Sequence, residues 1–302
     1  MSTTEQSRKF LDPKTVSLIS NYRLRVRLIV DGFFVGHHRG PRHAFSLEFG
    51  KHREYYPGDP LKLVDWKLYG KTDRFFIKQF EEETNLESWM VLDMSRSMSY
   101  QGTEGSVSKI QYASHLAGAL SYLLLGQKDL VGLLLFDSKP RKILPPSSAS
   151  RQLFLILKEL KNIKLGGVSN WEEAGRHAAS RIRRRGLVVL FSDFLADPLE
   201  VEQVLKSYLH KGNEVIAFHL LTPEELRFPF ARFGYFEDLE TQQKILLQPE
   251  FFREEYCKQM ENYLAAVRKI CRKLKVTYQM LETTTPFDRA IRTFLETRMK
   301  MD

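Results

Sequence analysis

Residues 87–93 read Glu-Ser-Trp-Met-Val-Leu-Asp, and this stretch decides the fold. An apolar run of this length is typical of a β-strand that is buried on both faces, and this one ends in an acid, Asp93. A polar loop follows, and a helix is predicted over residues 108–127 because its apolar residues recur at helical spacing. Those residues are Ile110, Ala113, Ala117, Leu120 and Leu124.

The same alternation of apolar strands and helices continues along the rest of the chain. Further strands are predicted at 130–137, 187–193, 213–221 and 276–281, and helices at 151–163, 171–185, 198–212, 252–275 and 287–298. Strands that are apolar throughout and alternate with helices indicate a parallel sheet covered on both faces. We therefore predict a doubly wound, mainly parallel α/β domain over residues 86–302, with an irregular insertion at residues 223–250.

The first 85 residues have a different character. Arginine alternates with apolar residues over 21–30, which favours a strand, residues 31–60 are rich in turn-forming residues, and residues 74–80 again favour a strand. We therefore predict a β-rich N-terminal extension at residues 1–85. It is also basic, because residues 1–80 hold 15 Lys or Arg against 8 Asp or Glu in a chain of net charge +9. A basic block is compatible with binding to nucleic acid or an anionic surface, and equally with solubility alone.

Composition excludes several classes of protein. The chain has 302 residues, of which 43% are hydrophobic and 27% charged, and this balance indicates a folded protein rather than a disordered one. Its longest apolar runs have five residues, whereas a membrane-spanning helix needs about 20. The first ten residues have no apolar segment of the secretory type. We therefore expect a cytoplasmic protein without a transmembrane segment, and peripheral association with a membrane stays open.

Polar residues with metal-binding chemistry follow two of the predicted strands. Asp93, Ser95 and Ser97 form Asp-x-Ser-x-Ser after the first apolar strand, and Asp193 ends a later one. The carboxyl ends of parallel strands share one sheet edge, and α/β proteins bind ligands there. Carboxylate and hydroxyl oxygens suit a hard cation, so we predict a Mg²⁺ site, with Mn²⁺ or Ca²⁺ as alternatives. Ser169, in the loop before the helix at 171, is the candidate ligand from a third segment, and it is equally a candidate helix cap.

This order of residues resembles the metal-ion-dependent adhesion site of von Willebrand factor A domains. Residues 53–59 (Arg-Glu-Tyr-Tyr-Pro-Gly-Asp) and 64–66 (Val-Asp-Trp) further resemble the signature of the bacterial domain-of-unknown-function 58 family. The resemblance extends over roughly residues 20–300 and implies a von Willebrand A-like domain. The family usually has Thr at the third-loop position, whereas this chain has Val168 or Ser169 there, depending on a one-residue gap.

The resemblance also implies a function and a partner. Members of the family are often encoded near MoxR-type AAA+ ATPases and are thought to act with them in the assembly or maturation of other proteins. We therefore expect a non-enzymatic adaptor, in which Mg²⁺ held by the predicted ligands binds a carboxylate of the partner protein. These ligands are Asp93, Ser95, Ser97 and Ser169, with Asp193 in the outer shell.

Two other functions stay open as alternatives. The first is a Mg²⁺-dependent phosphohydrolase that uses Asp93 as phosphoryl acceptor, although such enzymes have a second Asp two residues on, where this chain has Ser95. The second is a binder of nucleic acid or an anionic surface through the basic N-terminal segment. We do not expect nucleic acid to be the partner, because the basic residues are not combined with an aromatic-rich groove.

Overall fold

The computed structural model describes residues 12–36, 52–54, 66–78, 87–102, 107–166, 171–239 and 241–298. In chain order the elements are α1 (Pro13–Ser17), α2 (Tyr22–Gly36), β1 (His52–Glu54), α3 (Trp66–Thr72), β2 (Phe76–Lys78), β3 (Glu87–Asp93), α4 (Lys109–Gly126), β4 (Leu130–Phe136), β5 (Pro140–Ser147), α5 (Gln152–Lys161), α6 (Trp171–Arg181), β6 (Gly186–Ser192), α7 (Pro198–Leu209), β7 (Glu214–Leu221), α8 (Pro223–Arg227), β8 (Gly234–Glu237), β9 (Lys244–Leu247), α9 (Pro249–Lys273), β10 (Thr277–Glu282) and α10 (Phe287–Arg298). A short 3-10 helix, Arg96–Ser99, follows β3. Residues 1–38 and 86–302 form one unit, and residues 39–85 form another.

A six-stranded sheet lies at the centre of the larger unit. Its strands run in the order β10-β7-β6-β3-β4-β5, and every neighbouring pair is parallel except β4 and β5. From β3 the chain builds the sheet outward through β4 and β5, and it then crosses back to place β6 on the other side of β3. The prediction of a mixed α/β fold with a mostly parallel sheet is confirmed.

Both faces of this sheet are covered by helices, which explains why its strands are apolar throughout. One core packs side chains of β3, such as Met90 and Leu92, with α2, α4, α5 and α10. The other core packs the opposite side chains of β3, Trp89 and Val91, with α6, α7 and α9. Alternate residues of one strand therefore contribute to different cores, as the pleat of a β-strand requires.

The predicted strand at residues 21–30 is wrong, because this segment is helical and belongs to α2. Tyr22, Val26, Ile29 and Phe33 are buried at spacings of three and four residues, which is the period of a helix. The helix continues to Gly36, beyond the start of the predicted turn region. Residues 13–36 therefore add two helices to the larger unit and are not part of a β-rich extension at residues 1–85.

Strand β5 was not predicted from the sequence. It reads Pro-Arg-Lys-Ile-Leu-Pro-Pro-Ser and contains three prolines, which argue against a strand in the interior of a sheet. The structure places it at the edge, antiparallel to β4, where one side of the strand needs no backbone donors. The edge position is what makes this composition compatible with a strand.

The smaller unit consists, in its described part, of a two-stranded antiparallel pair and one helix. Strand β1 pairs with β2, and this pairing confirms a strand within the predicted segment 74–80. Helix α3 contributes Tyr69, whose ring stacks on Phe75 at a centroid distance of 4.4 Å. Most of the motif at residues 53–59 and 64–66 lies outside the described residues.

The predicted irregular insertion corresponds to α8 and an antiparallel hairpin of β8 and β9. The ring of Phe228 stacks on Phe236 of this hairpin and on Tyr256 of α9, which anchors the hairpin to the larger unit. Within the described ranges, none of the helices is both long enough and apolar enough to cross a membrane.

Candidate functional site

Strands β3 and β6 bring two acids to the same edge of the sheet. The strands are parallel neighbours, with Leu92 opposite Phe191, so Asp93 at the end of β3 and Asp193 just after β6 lie at their carboxyl ends. The strand order reverses at this pair, because β4 follows β3 on one side and β6 lies on the other. Such a reversal creates the crevice in which open α/β sheets bind ligands.

Asp93 is buried, with 1% of its surface exposed, and its carboxylate accepts hydrogen bonds from Ser95, Ser192 and Trp171. The backbone N–H of Ser95 donates to Oδ1 at 2.8 Å. The Ser192 hydroxyl and the Trp171 indole N–H donate to Oδ2 at 2.7 and 2.8 Å. Burial, together with the negative charge of Asp193, nevertheless raises the pKa of Asp93 to about 6.

The hydroxyls of Ser95 and Ser97 form a hydrogen bond in the loop after β3, with their oxygens 3.1 Å apart. Both residues are buried, with 4% and 8% exposure, and the Ser97 hydroxyl also donates to Asp193. Adjacent ligands of an octahedral Mg²⁺ at 2.0–2.1 Å are about 3 Å apart, so the spacing of the two hydroxyls fits one cation. The structure thus brings together four of the five predicted ligands, whereas Ser169, like Val168, lies outside the described residues.

Asp193 has a partner that the sequence did not reveal. The ammonium of Lys109, at the start of α4, donates to Asp193 Oδ2 at 2.7 Å and also to Glu225 Oε1 in α8. Burial alone would raise the pKa of Asp193, but the Lys109 charge holds it below its ordinary value. Burial would in turn lower the pKa of Lys109, and the charges of Asp193 and Glu225 raise it instead. Asp193 is therefore ionised and fixed in place.

The net charge of this cluster is negative. With Asp93, Asp193 and Glu225 ionised and Lys109 protonated, the four side chains sum to two negative charges. Among the residues that the structure describes, no three histidine, cysteine, aspartate or glutamate side chains form a group that could hold a metal ion. Any cation here would therefore depend on the serine hydroxyls as well as the carboxylates.

Sequence reasoning missed Trp171, Ser192, Lys109 and Glu225 as members of the site. Trp171 directly follows the predicted third loop and Ser192 precedes Asp193, so their positions in the chain were the available signal. Lys109 and Glu225 lie 84 and 32 residues from Asp193, and only the folded chain brings them to it.

The fold and the site together define an α/β protein with an acidic and hydroxyl-rich cluster at the switch point of its sheet. The family model for "Protein of unknown function DUF58" matches residues 51–265, and the chain belongs to this family. An uncharacterised protein of Mycobacterium tuberculosis and its counterpart in Mycobacterium bovis are each 28% identical to it over 221 residues, covering 72% of this chain and 68% of theirs.

Two solved structures show weaker likenesses. The conserved hypothetical protein BatB of Bacteroides thetaiotaomicron is 20% identical with a TM-score of 0.46, and the match covers 72% of this chain and 100% of that one. An aerotolerance-related membrane protein of Bacteroides fragilis is 19% identical with a TM-score of 0.46, covering 70% and 99%. At these TM-scores neither likeness bears on the function of this chain.

Proposed function

We propose that this chain is a non-enzymatic, metal-dependent protein-interaction module of the von Willebrand A-like type. Numbered along the main sheet only, its strands have the order 3-2-1-4-5-6, which is that of doubly wound α/β folds. The family resemblance of the Asp-x-Ser-x-Ser loop supports the same finer assignment. Mg²⁺, or Mn²⁺ or Ca²⁺ in its place, is the proposed ion.

The observation that carries the proposal is the convergence of the Ser95 and Ser97 hydroxyls, 3.1 Å apart, between the buried carboxylates of Asp93 and Asp193. Two hydroxyls at the spacing of neighbouring metal ligands, with two acids around them, are a donor set for a hard cation. Ser95 and Ser97 would hold the ion directly, and the carboxylates would act from the first or second shell. The bound ion would supply an electrophilic centre that accepts an oxygen ligand.

Charge supports a divalent ion at this site. The four ionised side chains of the cluster carry a net charge of −2, which a divalent cation would neutralise. A hard cation held partly by neutral hydroxyls can accept a carboxylate oxygen as a further ligand. We propose that a Glu or Asp of a partner protein completes the coordination, and that the partner is a MoxR-type AAA+ ATPase in the cytoplasm. The identity of the partner rests on the family resemblance.

The geometry around Asp93 favours binding over phosphoryl transfer. Both of its carboxylate oxygens accept hydrogen bonds, and the side chain is buried behind Trp171 and Ser192. A nucleophilic carboxylate needs an oxygen that a phosphorus atom can approach. The residues that hold Asp93 in place therefore support a role in organising the loop.

A binding experiment tests this proposal. Calorimetric titration of the full chain with Mn²⁺ and Mg²⁺ is expected to show one site, which Asp93→Ala and Ser97→Ala weaken at least about tenfold. Asp31→Ala, which removes an exposed acid paired with Arg27, is the matched control and should bind like the wild type. A MoxR-type AAA+ ATPase should be captured by the chain with Mg²⁺ and lost with chelator. Equal capture with and without chelator would contradict the proposal.

A further inference from the structure

Lys109 has an unusual position for a lysine. It is fully buried, and it is the first residue of α4, directly after the N-cap Ser108. A positive charge in the first turn opposes the helix dipole, and burying an ammonium is costly unless it is paired. The reason for a lysine at this position therefore lies outside α4, in the groups that it contacts.

Those groups connect the candidate metal site to α8. Lys109 Nζ donates to Asp193 at 2.7 Å and to Glu225. Glu225 is itself fixed, because its Oε2 accepts the N–H of Thr222 at 2.7 Å in the capping box of α8. One buried ammonium thus bridges the acid after β6 and an acid of α8.

The loop that carries the serines also contacts α8. Gly102, which follows this loop, has a φ of +76°, and a Cβ placed there would come within 2.2 Å of the Glu224 carboxylate. Glycine is favoured at this positive φ. Gly102 therefore packs against Glu224, the neighbour in α8 of the Glu225 that Lys109 contacts.

We propose that Lys109 and Glu225 set the cation affinity of the site with opposite signs. The inference rests on the proposed metal site. The ammonium next to Asp193 repels a divalent ion, and Glu225 partly cancels that repulsion. Their two charges cancel, so the cluster keeps the net charge of −2 that Asp93 and Asp193 carry, and removing either charge alone shifts the cation affinity.

The test compares two variants that remove opposite charges with side chains of similar size. Lys109→Gln keeps a donor toward the acids. Glu225→Gln keeps one oxygen, which can accept the Thr222 N–H as in other capping boxes, and loses the acceptor that faces Lys109. Calorimetric titration with Mn²⁺ should show binding at least about tenfold tighter in Lys109→Gln and at least about threefold weaker in Glu225→Gln. Lys206→Gln and Glu202→Gln, which neutralise a surface ion pair of α7, are the matched controls and should leave the affinity unchanged.

The opposite signs separate this role from a purely structural one. If Lys109 and Glu225 only hold the fold together, both substitutions weaken binding or leave it within twofold, and the inference is overturned while wild-type binding stands. Should Lys109→Gln fail to fold in circular dichroism, Lys109→Met takes its place, and binding that is not tighter than wild type in this variant overturns the inference. A wild-type chain that binds no Mn²⁺ overturns the proposed function itself.

Discussion

Asp93 and Asp193 lie in one buried cluster, yet their pKa values shift in opposite directions. Burial acts on both carboxyls in the same way and favours the protonated form. The difference comes from Lys109, which contacts Asp193 directly and holds its pKa down. Asp93 has only neutral donors, so its pKa rises to about 6. Lys109 does not cancel the electrostatic repulsion between Asp93 and Asp193. A divalent cation between the two carboxylates would cancel it.

His115 of α4 allows a prediction on pH. Its ring is stacked on Tyr22 at 5.3 Å, its Nε2 lies 3.2 Å from Arg25 Nη1, and burial, with the Arg25 charge, lowers its pKa from 6.5 to about 3. The unfolded chain binds a proton here below pH 6.5 and the folded chain does not, so the stability contributed by neutral His115 is lost as the pH falls.

The substitution His115→Gln keeps a hydrogen-bond acceptor for Arg25 and removes the titratable imidazole. In urea unfolding between pH 7.5 and 4.5, the stability advantage of the wild type over this variant should be constant above about pH 7. Below pH 6.5 it should shrink by about 1.4 kcal/mol per pH unit. A difference that does not change with pH would show that His115 titrates in the folded chain as it does in the unfolded chain, which contradicts the prediction.

At the scale of single residues, the sequence predicts which side chains could bind a cation better than it predicts which residues contact them. Asp93, Ser95 and Ser97 are identifiable because their spacing within one loop fixes their common direction, and Asp193 because a parallel strand must end at the same edge. The donors Trp171 and Lys109 are not identifiable in this way. A tryptophan at the start of a helix is typical of a core residue, and a lysine there is typical of a solvated one, so only the folded chain assigns them to the site.

Helix α2 offers the clearest test among the elements. A helix buries Ile29, which is 0% exposed, and leaves Leu24 exposed at 46%, whereas an alternating strand would place Leu24 on the buried face with Val26. We expect Ile29→Ala to lower the free energy of unfolding by about 2–4 kcal/mol, and Leu24→Ala to change it by less than about 0.5 kcal/mol. Chemical denaturation measures both, and the reverse ranking would favour the strand.

The two elements that sequence reasoning misjudged fail for related reasons. In α2 the regular alternation of Arg23, Arg25 and Arg27 with other residues gives a period of two. The buried side chains nevertheless follow the period of a helix, because none of the three arginines occupies a buried position. In β5 proline hides a strand that tolerates it only at an edge. In both cases the position of the segment in the fold, rather than its own composition, decides whether it forms a helix or a strand.

Across the whole molecule, the candidate site ties together segments that are distant in the chain. The site is formed by β3, β6 and the loops that follow them, together with α4, α6 and α8, and most of its contacts are buried. Its residues are 93–97, 109, 171, 192–193 and 225. The sheet therefore supports the site from one side, while the helices that cover it supply the indole and the ammonium. An ion bound there would cross-link the larger unit and stabilise the folded chain over the unfolded one.

This cross-link gives a prediction for global stability. A ligand that binds only the folded state adds about 2.7 kcal/mol to the free energy of unfolding at 100 times its dissociation constant. Mg²⁺ or Mn²⁺ at that concentration should therefore raise the thermal midpoint of the wild type by several degrees. Ser97→Ala should lose most of this increase, and the control Asp31→Ala, altered only on the surface of α2, should keep it. Because ionisation of Asp93 is needed for cation binding, the increase should also diminish as the pH falls below about 6. An equal increase in Ser97→Ala and the wild type would place the ion elsewhere in the molecule.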